Sequence, residues 1–130
     1  MIVLDASTVL EVLLRSQAGL KIEKRIFSPP ESLFAPHLLD LEVVQVLRRY
    51  CASGEIDSER GNEAIEDLKD LPIKRYPHEI FLHRIWELRH NMTAYDAAYV
   101  ALAETLPAPL LTRDAHLASA PGHDAVIELI

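Results

Sequence analysis

With 130 residues, 49% of them hydrophobic, the chain is long enough to bury about two-thirds of the surface its unfolded form exposes, so one domain over 1–130 without disulfides is expected. Thirteen Lys and Arg against 20 Asp and Glu leave a net charge of −7, which excludes binding of nucleic acid through a broad basic face unless carboxylates gathered around a divalent cation reverse the local field. The single cysteine, Cys51, excludes an internal disulfide and disfavours structural zinc; with no signal-peptide start and no apolar run near the roughly 20 residues that span a bilayer, a cytoplasmic protein with no membrane span is expected.

Taken in chain order, Ile2 to Leu4 is a continuous apolar strand, and a helix follows from about Ser7 to Arg15 with Thr8 and Glu11 in capping-box relation. A second helix covers Leu20 to Phe27 and breaks at Pro29 and Pro30. Leu33 to Ala35 makes a short strand. Pro36 opens a long helix whose stripe runs Leu39, Val43, Val46, Leu47 and Tyr50 until Ser53 and Gly54 stop it. Asp57 or Ser58 caps a helix reaching about Leu68, and Pro72 to Tyr76 reads as a strand. Pro77 then starts an amphipathic helix through Phe81, Ile85 and Leu88. Thr93 caps a helix that is apolar almost all round from Ala97 to Ala103 and therefore belongs in the interior. Pro107 and Pro109 end it. Leu110 to Thr112 makes a strand, Asp114 begins a short helical turn, and Ala125 to Ile130 closes with a last strand. Short apolar strands alternating with helices imply an α/β fold, a three-layer α/β/α arrangement around a mostly parallel sheet.

In such sheets ligands bind at the carboxyl ends of the strands, where the strand order reverses. Asp5 ends the first strand and Asp114 follows Leu110 to Thr112 by two residues, so both fall on that rim. Asp96 sits in the first turn of its helix, and Glu42 lies two turns into the long helix beside its apolar stripe. Singly, each has an ordinary explanation as a cap or a surface ion-pair partner; Asp96 with Thr93 even reproduces a capping box. Caps do not explain the pairing of Asp5 with Ser7 and of Thr112 with Asp114 at strand ends, together with two more acids beside apolar helical faces.

Two carboxylates about 4 Å apart repel by about 4 kcal/mol at an effective dielectric of 20. Four acids drawn to one rim therefore call for a cation. Carboxylates and hydroxyls are hard oxygen donors, which point to Mg²⁺ or Mn²⁺ and to phosphodiester hydrolysis.

The stretches MIVLDASTVLEVLL, APHLLDLEVVQVLRR, YDAAYVALAE and LLTRDAHLA together resemble PIN-domain proteins of the VapC type, the ribonuclease toxins of toxin-antitoxin pairs, and the likeness runs over essentially the whole chain. The resemblance implies a PIN-like fold and a Mg²⁺- or Mn²⁺-dependent endoribonuclease whose acidic quartet matches Asp5, Glu42, Asp96 and Asp114. Thr112 and Ser7 take the supporting hydroxyl positions. It also implies a homodimer and a cognate VapB-like antitoxin whose tail enters the acidic site; the groove for it involves residues 7–27, where Leu10, Val12, Leu13, Leu14 and Leu20 are apolar, although each can equally fill the core.

Arg15, Arg48, Arg49 and Arg113 are the candidates to hold RNA phosphate, Arg113 first because it adjoins Asp114. His37, His78, His83, His90, His116 and His123 show no metal-binding spacing, and Trp86 and Tyr99 are expected in the core. Two other readings stand beside the nuclease. The Asp5 to Val9 start is similar to that of haloacid-dehalogenase-like phosphatases, but Ser7 occupies the place of their second acid. The other is a non-catalytic partner-binding domain that keeps its acids for solubility.

Overall fold

In a computed structural model describing residues 1–130, five parallel strands form one sheet: β1 (Ile2–Leu4), β2 (Leu33–Pro36), β3 (Ile73–Tyr76), β4 (Leu110–Thr112) and β5 (Ile127–Leu129). Their order across the sheet is β3-β2-β1-β4-β5. The chain builds outward from β1 to β3 on one side, then returns to lay β4 and β5 on the other. The reversal therefore falls between β1 and β4.

Strand alternation sorts the core into two halves. Ile2, Leu4, Leu33, Ala35 and Leu111 point to one face, where they pack with Val9 and Leu13 of α1 (Ala6–Leu13), Ile22 and Ile26 of α2 (Gln17–Phe27), Leu39, Val43 and Leu47 of α3 (Leu38–Ser53), and Ala64 and Leu68 of α4 (Ser58–Asp70). Val3 and Leu110 point to the other, against Leu88, which follows α5 (Leu82–Glu87), the run Ala97 to Ala103 of α6 (Ala94–Thr105), and Leu117 of α7 (Ala115–Ala118). This is the expected α/β/α arrangement. No helix is long and apolar enough to cross a membrane.

Several local expectations are corrected. Helix α1 is capped by Asp5 rather than by a Thr8 and Glu11 box: the Asp5 carboxylate accepts the Thr8 backbone N–H at 3.1 Å, while the Thr8 hydroxyl turns back to the Asp5 carbonyl at 2.9 Å. An acid leaving a strand in extended conformation is the stronger cap. Glu11 is instead bonded by the Ser16 hydroxyl. Helix α2 begins three residues before Leu20, because Ser16 caps it by accepting from the Gly19 N–H at 3.0 Å. The long helix expected after Pro77 is a 3-10 turn (Glu79–Phe81) followed by the short α5. Trp86 is not in the core; it is 66% exposed, with the Arg89 guanidinium 4.4 Å from its ring centroid. Strand β5 covers only Ile127–Leu129, since β4 offers it just three partners.

Candidate active site

The parallel register explains why the first and last acids meet. Val3 pairs with Leu110 and Leu4 with Leu111, so Asp5, the residue after β1, comes beside Thr112, the last residue of β4. The Thr112 hydroxyl donates to Asp5 Oδ2 at 2.5 Å and accepts the Asp114 N–H at 3.0 Å, bridging the two acids through one oxygen. Ser7 supplies a second bridge: its hydroxyl donates to Asp5 Oδ1 at 2.6 Å and accepts the Arg113 N–H at 3.0 Å. Asp5 is 7% exposed and Thr112 fully buried.

The other two acids arrive on helices. Thr93 caps α6 by accepting the Asp96 N–H at 3.1 Å, which fixes Asp96 in the first turn. One turn further on, the Tyr99 hydroxyl donates to Glu42 Oε1 at 2.6 Å, tying α6 to α3 across the rim. Tyr99 is buried as the sequence implies, but its polar tip is part of the site. Nothing in the composition of an apolar helix signals that; the clue is a Tyr four residues from another Tyr with Asp96 between them.

The acids act on one another by charge: Asp5 and Asp96 on Glu42, and Asp114 and Asp5 on Asp96. Burial pushes the Asp5 carboxyl above its ordinary value despite hydrogen bonds from Ser7, Thr112 and Thr8 that pull the other way. Glu42 is raised by burial and by the charges of Asp96 and Asp5, against the Tyr99 bond. Asp96 is raised by burial and then by Asp114 and Asp5. The Tyr99 hydroxyl is held strongly in its protonated form by burial and by Glu42, Asp5 and Asp96.

Asp5, Glu42, Asp96 and Asp114 take no part in the ion pairs of this molecule, all of which lie elsewhere. No three His, Cys, Asp or Glu side chains close into a ready-made cage for an ion. Two of the acids are engaged by other partners: Glu42 by the Tyr99 hydroxyl, and Asp114, as the cap of α7, by the N–H groups of His116 and Leu117 at 2.9 and 3.3 Å. The donors present, carboxylates and hydroxyls without a protein cation, fit a hard divalent ion that keeps water and admits substrate oxygens.

From Ser7 and Glu42 a groove of about 690 Å³ runs between α1 and α3, with Arg49, Tyr95 and Arg113 in its walls. Arg15 is not there: it pairs with Asp67 at 3.6 Å beside α4, because the chain turns away at the end of α1 with Arg15 at φ 55°. Arg48 faces a separate hollow between α3 and α4. Of the five apolar residues expected at this groove, Leu10, Val12 and Leu13 are buried and only Leu10 reaches its wall; Leu14 is half-buried and Leu20 62% exposed, both outside it.

Residues 2–122 match the family model of the PIN domain. The chain is 43% identical over 129 residues to Ribonuclease VapC1 of Mycobacterium tuberculosis, covering 98% of this chain and 96% of the relative. It is 39% identical over 130 residues to Ribonuclease VapC12 of the same organism, covering 100% and 99%. Among solved structures, PAE2754 from Pyrobaculum aerophilum superposes with a TM-score of 0.70 at 20% identity, over 97% of this chain and 87% of that one.

Proposed function

Since the chain belongs to the PIN-domain family, with VapC ribonucleases as relatives over nearly its whole length, we propose that it is the toxin of a type II toxin-antitoxin pair and an endoribonuclease dependent on Mg²⁺ or Mn²⁺. The observation that carries the reading is the rim of four carboxyl groups from β1, α3, α6 and the end of β4, three of them raised by burial and none paired with a protein cation. Uncompensated charge in a half-buried setting is costly to keep unless it serves to gather a counter-charge.

A bound divalent ion would neutralise charge on the phosphorus centre and lower the pKa of an attacking water. Asp5, Asp96 and Asp114 are the residues to hold it, with Glu42 beside them. Asp5 is oriented for this by Ser7 and Thr112. Glu42 has Oε1 engaged by Tyr99 and Oε2 free, and its raised proton affinity suits that oxygen to accept a proton from the nucleophile. Arg49 and Arg113 stand in the groove to hold phosphate. An antitoxin tail bearing an arginine would use the same negative rim, and we place the working protein in the cytoplasm as a homodimer of single PIN domains. Ser7, spent as a donor to Asp5, cannot replace the acid that a haloacid-dehalogenase-like phosphatase needs.

The test is RNA cutting by purified protein. Activity is expected only with Mg²⁺ or Mn²⁺, and Asp5→Asn and Asp96→Asn should abolish it while circular dichroism stays native. Equal cutting by those variants would reject the assignment, and sequencing of RNA ends after induced expression identifies the target.

A further inference from the structure

We propose that Tyr95 is a base platform: its ring stacks an unpaired base of the RNA beside the bond being cut, while Arg49 holds an adjoining phosphate. The inference rests on the ribonuclease reading of the acidic rim and names how the substrate is gripped next to it.

Tyr95 and Tyr99 stand one turn apart on α6, on either side of Asp96, yet their surroundings are opposite. Tyr99 is 2% exposed and its hydroxyl is spent on Glu42. Tyr95 is 62% exposed, and the aromatic and cation-π contacts of the molecule involve other rings. Its ring nevertheless lines a concave wall, in the groove that begins at Ser7 and Glu42. An aromatic face left in water at the mouth of a site, immediately before one of its acids, offers apolar area that a flat ligand can cover. Nucleobases are such ligands, and stacking on an exposed Tyr is the usual means of holding unpaired ones.

Charge supports the same occupant. The groove wall holds two guanidiniums, Arg49 and Arg113, against two carboxylates, Glu11 and Glu42, so it is locally neutral in a chain of net charge −7. Arg113 is held by Glu11 at 3.6 Å, but Arg49 is in no ion pair and is free to meet a phosphate. A volume of about 690 Å³ suits a nucleotide or two rather than a helix, and bases inside a duplex have no free face to present. The substrate class is therefore single-stranded RNA, or a loop, at the cut site.

The experiment uses the full chain with Mg²⁺ and an RNA oligonucleotide spanning the mapped cut site, alongside oligonucleotides carrying an abasic nucleotide on either side of the scissile bond. Tyr95→Ala should lower kcat/KM about ten- to a hundredfold, chiefly through KM, and Tyr95→Phe should restore it. One abasic substrate should impose a similar loss on the wild type and little further loss on Tyr95→Ala. Arg49→Ala should weaken binding and reduce the salt slope by about one charge. Wild-type cutting by Tyr95→Ala, or an abasic penalty equal in both proteins, overturns the platform and leaves the nuclease standing. So does a Tyr95→Ala defect confined to binding a protein inhibitor. Absence of cutting by the wild type with either metal overturns the ribonuclease reading itself.

Discussion

Thr112→Val tests the construction of the rim. Valine matches threonine in shape, so no cavity is made; only the hydroxyl that bridges Asp5 and Asp114 is lost. That hydroxyl is fully buried, and its bond to the Asp5 carboxylate is a charge-assisted one worth about 1.5–3 kcal/mol. Leaving the Asp114 N–H without its partner adds about 1 kcal/mol. The expected loss at pH 8 is about 2.5–4 kcal/mol, or about 9–15 °C in Tm for a chain of this size. Its pH dependence identifies the cause. Asp5 has its carboxyl raised by burial, so the folded state holds its proton more tightly than the unfolded chain and that stabilisation fades as pH climbs through the raised value. The Thr112 bond opposes this, and its removal raises the Asp5 carboxyl further. The difference between wild type and Thr112→Val should therefore be large at pH 8 and narrow as pH falls toward 4, in urea unfolding with unchanged m-values. Thr112→Ser should behave as the wild type. A deficit of the same size at both pH values would show that the hydroxyl does not act through the charge on Asp5.

Two further outcomes follow from other parts of the molecule. Addition of 10 mM Mg²⁺ should raise the wild-type Tm by roughly 5 °C if its Kd is about 1 mM, corresponding to about 1.4 kcal/mol; thermal melts of Asp5→Asn and Asp96→Asn should show no such rise, and an equal rise would place the ion elsewhere. Gly19→Ala should be severely destabilising, by about 1–3 kcal/mol or more in urea titration, because its Cβ would lie 2.2 Å from the Glu11 carbonyl oxygen where α2 crosses α1. Gly61→Ala, whose Cβ meets side-chain atoms alone, the Cys51 Sγ at 3.1 Å and the Ile56 Cδ1 at 3.9 Å, should be tolerated, and equal behaviour of the two would refute the close crossing.

The layered fold was legible because its signals are local. Short continuous apolar runs for strands, the near-continuous apolar face of α6 and the Gly54 stop at φ 82° all act over a few residues. The Asp5 and Asp114 rim followed from topology, since both acids end adjacent parallel strands. What could not be read was contact between distant side chains. The Tyr99 bond to Glu42 joins residues on separate helices, and the pairing of Arg15 with Asp67 depends on where α4 lies. The Thr8 and Glu11 motif misled because Asp5, one turn earlier, offered α1 a stronger acceptor. Trp86 misled because hydrophobic spacing says which residues are apolar and not what covers them; on the short α5, Ile85 packs against the core while Trp86 is 66% exposed with the Arg89 guanidinium over its ring.

A chain of net charge −7 that acts on a polyanion needs its repulsion confined or reversed near the scissile phosphate. The confining device is seen in the ion pairs. Most acids outside the rim that come close to arginines are bound by them: Asp40 by Arg75, Glu104 by Arg84 and Glu128 by Arg25, each at 2.8 Å. These pairs spend guanidiniums on structure and leave the rim as the place where carboxyl groups face one another unneutralised. A divalent ion held there, as proposed above, would reverse the local sign only where the phosphate must approach, while the rest of the surface would still repel nucleic acid. Selectivity for a short unpaired segment then needs no basic face. Under the proposals above it rests on the free guanidinium of Arg49 and the exposed ring of Tyr95, which line one groove with Glu42.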